Sequence, residues 1–99
     1  MRKVSLIPYR LPGDIAYDVR GSLVELLFAV RLGPEDLGEH DRIARQIETA
    51  ENNEVILGDK DYERLVFCLR ANPGGYSRND LEFVNRVMGA EEITATKEA

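Results

Sequence analysis

A mainly α fold, one small domain of about four short helices, is predicted by three features of this 99-residue sequence. Apolar residues recur at three- and four-residue spacing in four separate stretches. Capping residues precede those stretches, and Gly, Pro or Asn closes them. The extended apolar runs, Val4–Ile7 and Val55–Leu57, are so short that they allow at most a minor two-stranded pairing, of residues 3–7 with 54–57.

Residues 1–17 lack helical periodicity and carry Pro8 and Pro12, so they are expected to be an extended N-terminal arm with a turn at Gly13-Asp14. A helical domain follows over 18–89. Its first helix is expected over about 18–32, started by Asp18 or by the Ser22…Glu25 pattern and stopped by a left-handed Gly33. At about 100° per residue, Leu23, Leu26, Leu27 and Val30 form one apolar stripe, and Val24, Phe28 and Leu32 form a second on another side. The second helix, about 36–51, has Pro34 suited to its first turn and a stripe of Leu37, His40, Ile43, Ala44, Ile47 and Ala50.

Asp59 is expected to cap a third helix, about 60–72, with the stripe Tyr62, Leu65, Val66 and Leu69. Asn72-Pro73-Gly74-Gly75 is a turn, lacking the strand and the Gly-Lys-Ser/Thr ending of a phosphate loop. Ser77 then caps a fourth helix, about 78–88, whose apolar face is Leu81, Phe83, Val84, Val87 and Met88. Helices three and four should form an antiparallel hairpin. Residues 90–99 are expected to be a frayed tail in which Ile93 is a candidate to dock.

Composition bounds the function. A chain of this length buries about two-thirds of its unfolded surface, enough for one modest core. With 43% hydrophobic and 31% charged residues it belongs with globular chains, and its single cysteine, Cys68, allows no internal disulfide. Neither a secretory signal nor a membrane span is evident, so a cytoplasmic location is expected. The net charge of −5 is uneven. Residues 1–13 carry Arg2, Lys3 and Arg10 with no acid, while residues 35–63 hold ten acids against Arg42, Arg45 and Lys60, a net of −7. Such a surface repels phosphate backbones and weighs against nucleic acid.

No residue set spells catalysis, a cofactor or a metal. His40 is flanked by Glu39 and Asp41, but adjacent helical positions diverge by about 100° and neither acid can orient the ring. It sits in the apolar stripe and is expected to be a packed structural histidine. Cys68 lies deep in the third helix, where a cysteine packs as a small hydrophobe. Zinc and calcium spacings are absent. A helix-turn-helix, the rival DNA-binding regulator, would present Arg78 and Arg86 alongside Asp80 and Glu82, a poor recognition surface.

The residues left over point to contact with protein. Phe67 lies about 150° from the apolar stripe of its helix, among Lys60, Glu63, Arg64 and Arg70. With Val24, Phe28 and Leu32 it would make a partner-binding surface, oriented by Arg2, Lys3 and Arg10 of the arm. The expected function is a non-enzymatic protein–protein interaction module, self-associating as a homo-oligomer or docking into a larger assembly.

The succession of Tyr9-Arg10, the Tyr17-Asp18 helix start, a compact amphipathic helix and Val55-Ile-Leu-Gly-Asp-Lys-Asp-Tyr62 opening a late helix resembles small uncharacterised accessory proteins encoded by tailed bacteriophages. The resemblance is one of element order and carries over no functional residue. It implies a virion-assembly or host-modulating role exerted through protein contacts, in the host cytoplasm.

Overall fold

The computed structural model describes residues 1–93. Along the chain run β1 (Arg2–Ser5), β2 (Tyr9–Leu11), β3 (Ile15–Tyr17), α1 (Val19–Leu27), α2 (Pro34–Thr49), β4 (Glu54–Leu57), α3 (Asp59–Ala71), α4 (Leu81–Met88) and β5 (Glu91–Glu92). A 3-10 turn, Arg78–Asp80, leads into α4.

The fold is mixed α/β, which corrects the mainly α expectation. Among the described residues, four α-helices are joined by five strands in two antiparallel sheets. The first sheet has the order β4-β1-β5, with Val4 opposite Val55 and Lys3 opposite Glu91. The second is a β2–β3 hairpin with Tyr9 opposite Tyr17. The pairing expected between residues 3–7 and 54–57 is thus one ladder of a larger sheet.

The N-terminal segment is no arm. Side chains alternate across a strand, so Arg2 and Val4 share a face with Val55 and Leu57. Val4, Leu57 and the following Leu6 are fully buried, so the β1 segment lies at the centre of the single core. Pro12-Gly13-Asp14, which carries the expected turn, closes the hairpin, with Gly13 at φ +88 and the Asp14 N–H donating to the Leu11 carbonyl at 3.1 Å. The stacked rings of Tyr9 and Tyr17, 4.7 Å apart, staple its two strands. At the other end, the Ile93 N–H donates to the Met1 carbonyl and ties down the start of the expected frayed tail. Residues 94–99, the rest of that tail, lie outside the described residues.

Helix ends explain the remaining differences. The α1 helix stops at Leu27 rather than residue 32. In a longer helix the Leu27 carbonyl would accept the Arg31 N–H, but His40 of α2 takes it at 2.7 Å through Nδ1. Phe28 and Ala29 then bond to the carbonyls three residues back, a tightened last turn. Gly33, at φ −75, is not a left-handed stop; it precedes Pro34, the first residue of α2. In return, Arg20 of α1 donates to the carbonyls of Ile47 and Ala50 at the end of α2, at 2.6 and 2.9 Å, where a cation also meets the negative helix end.

The second helix pair repeats this exchange. Tyr62 of α3 donates its hydroxyl to the Val87 carbonyl at the end of α4, and Tyr76, leading into α4, donates to the Leu69 carbonyl near the end of α3. Each antiparallel pair is therefore clasped at both ends. At the N-termini, Asp18 accepts from the Gly21 N–H at 3.0 Å, while Ser77, as expected, is the N-cap of the turn leading into α4 and shares a capping box with Asp80, whose carboxylate accepts the Ser77 N–H at 2.8 Å.

Candidate protein-contact surface

With α1 ended at Leu27, residues 28–33 cross the surface as a loop and bring Leu32 beside α2 and α3. Phe67 is on the side of α3 opposite Leu65, Cys68 and Leu69, the three residues that helix buries. Lys60, Glu63, Arg64 and Phe67 fall at i, i+3, i+4 and i+7, one face of the helix. The result is a groove of about 580 Å³ with Leu32 and Phe67 as its apolar anchors, walled by Arg31, Asp36, Lys60, Glu63 and Arg64, with His40 also in its lining. Phe67 is 63% exposed, the most exposed large apolar side chain among the described residues.

The groove's charged walls are mixed, Arg31, Lys60 and Arg64 standing with Asp36 and Glu63. Arg64 pairs with Asp36 at 3.2 Å, whereas Arg31 and Lys60 form no ion pair among the described residues. Apolar centre and charged rim are the anatomy of a protein-contact patch.

The other expected contact residues are placed differently. Phe28, 38% exposed, does not line the groove. Val24 is half-buried against the core, so no second apolar stripe runs along α1; only Leu32 and Phe67 are brought together. The basic residues of the N-terminal segment are engaged within the chain. The Arg2 guanidinium donates to the Ala90 carbonyl at 2.9 Å and lies 5.0 Å from the Tyr62 ring centroid. Lys3 is 3.6 Å from Glu91, and Arg10 pairs with Asp14 across the hairpin turn. Leu37, assigned to the buried stripe of α2, is 51% exposed. Of the cations that border the groove, Lys60 and Arg64 are the ones helical spacing sets around Phe67, whereas Arg31 sits in the loop beside Leu32 and carries no helical signal.

His40 and Cys68 meet in the core, with Sγ 3.9 Å from Nδ1. Their chemistry is not that of a nucleophile and its base. The Nδ1–H is donated to the Leu27 carbonyl, so this nitrogen has no lone pair with which to take the thiol proton. Burial pushes the Cys68 thiol up from its ordinary pKa, and its side chain is fully buried. His40 is 3% exposed, and its bond to Leu27 has a structural purpose.

Of the two arginines a helix-turn-helix reading would use, Arg78 is exposed and forms no ion pair among the described residues, while Arg86 is engaged. Arg86 is held by Glu82, by the Ile7 carbonyl and by the Ser5 hydroxyl, while Phe83 and Val87 turn inward. Among the described residues, no helix is long and apolar enough to cross a membrane, and no three His, Cys, Asp or Glu side chains cluster as a metal site would need. No protein family, curated protein or solved structure matches the chain.

Proposed function

We propose that this protein is a non-enzymatic protein–protein interaction module that self-associates through the Leu32–Phe67 groove. One observation carries the proposal: a phenylalanine at 63% exposure stands in a formed groove, beside a second apolar side chain and two cations that form no ion pair among the described residues. Water contact with such a ring is unfavourable, and aromatic anchors ringed by charge dominate protein interfaces.

A second copy of the chain is the occupant favoured by charge. Arg31, Lys60 and Arg64 line the groove with Asp36 and Glu63, so its rim carries both signs and each copy can meet the other's cations with its own carboxylates. Complementary fields of this kind orient encounter and raise its rate more than they raise final affinity. The buried thiol and the engaged imidazole support a role without catalysis.

Phe67→Glu tests the proposal. Sedimentation velocity should show the wild type associating with concentration and the variant failing to do so, with unchanged helical circular dichroism. Equal association of both proteins would remove the groove from the interface.

A further inference from the structure

A second concavity, of about 360 Å³, lies between α1 and the turn that joins α3 to α4. It shares no lining residue with the Phe67 groove, and its charged walls are of one sign rather than mixed. Tyr17 and Tyr76 line it together with Glu25 and Asp80, and Phe83, 2% exposed, is the core ring behind Tyr17. No lysine, arginine or histidine is among its walls.

The rings are fixed before any ligand arrives. Tyr17 donates its hydroxyl to Asp80 at 2.7 Å and stacks on Tyr9, Tyr76 donates to the Leu69 carbonyl at 2.7 Å, and Phe83 is packed 5.7 Å from Tyr17. Asp80 accepts hydrogen bonds from the Tyr17 hydroxyl and from the Ser77 N–H and hydroxyl. Asp80 is held below the ordinary carboxylate range by the Tyr17 hydroxyl and then by the Ser77 N–H, neutral donors that leave its charge in place. Neither Glu25 nor Asp80 forms an ion pair among the described residues.

Aromatic faces and carboxylates attract the same kind of group, an organic cation whose alkyl shell fits against rings while its charge is balanced. A volume of about 360 Å³ is near the lower end for small-ligand sites and suits a compact head group. We infer that this cavity binds an alkylammonium group, carried by a free small molecule or by the lysine side chain of a protein.

Three probes test this by NMR titration of the full chain, followed on the Tyr17 and Tyr76 ring resonances. They are choline, its neutral isostere 3,3-dimethylbutan-1-ol, and Nα-acetyl-lysine methylamide. At least one cation should bind about tenfold more tightly than the neutral isostere. Glu25→Gln, at an exposed position outside the core, should weaken that cation by about threefold to fivefold with an unchanged melting temperature. Preference for choline assigns the site to a free small cation, and preference for the lysine derivative assigns it to a protein side chain. Equal binding of all three probes, no shift of the tyrosine resonances with any of them, or cation binding indifferent to Glu25→Gln would overturn the inference.

Discussion

Nδ1 of His40 stands 2.7 Å from the carbonyl oxygen of Leu27, and this one bond sets where α1 ends and where the loop bearing Leu32 begins. A histidine on the apolar stripe of α2 thus has a partner on another helix. Replacing it with leucine fills similar space but leaves a buried carbonyl without a donor. His40→Leu should lower unfolding stability by about 1–3 kcal/mol in urea titration. A variant as stable as the wild type would show that the carbonyl finds another donor at no cost.

Arg20 is the reciprocal half of the α1–α2 clasp. Arg20→Met keeps the aliphatic stem but removes the donor to Ile47 and Ala50, and should cost about 1–2 kcal/mol. The two bonds lie about two helical turns apart with no shared partner, so combining it with His40→Leu should be additive within about 0.5 kcal/mol. A larger coupling in the double-mutant cycle would mean that the two ends of the clasp act as one unit.

Acid stability reports on the Tyr17–Asp80 bond. Asp80 is depressed by the Tyr17 hydroxyl first, and Asp61 by the Arg42 guanidinium first. For such groups the unfolded chain takes up protons more readily than the folded one. Their contribution is complete above the ordinary carboxylate value of about 4 and is lost as pH falls through the lower folded values. Tyr17→Phe removes the Asp80 part of this effect. The difference in urea midpoint between wild type and Tyr17→Phe should therefore shrink between pH 7 and pH 3. A difference independent of pH would show that Tyr17 does not control the Asp80 proton.

Leu6 tests the placement of the N-terminal segment in the core. It is fully buried, and its N–H donates to the Asn53 carbonyl at 2.7 Å. Leu6→Ala should cost about 2–5 kcal/mol through the cavity it leaves. A solvated arm would tolerate the change without measurable loss.

Helices were legible in the sequence because their signals are local. Asp18, Pro34 and the Asn72–Gly75 stop act within a few residues of where they stand. Of the sheets only the β1–β4 ladder was legible, from the apolar runs Val4–Ile7 and Val55–Leu57; the rest was not, because the remaining strands are two or three residues long and the β1–β5 pairing spans up to 90 positions, as between Arg2 and Glu92. Glu91-Glu92 has no strand propensity at all; the bond from Ile93 to Met1 and the Lys3–Glu91 pair hold it. The length of α1 failed for the same reason, since its stop is a side chain thirteen residues away. Phe67 was visible as misplaced because helical geometry alone sets it opposite Leu65 and Leu69. The engagement of Arg2, Lys3 and Arg10 was invisible, because it depends on which strands lie beside β1 and on how the hairpin closes.

Self-association through Phe67 is tested most directly by the mass of the wild-type chain in solution, measured by light scattering over a wide concentration range. The mass should rise above the 11.2 kDa of one chain as concentration increases, and Phe67→Glu should return it to that value. A wild type that stays at 11.2 kDa at the highest attainable concentration would contradict self-association.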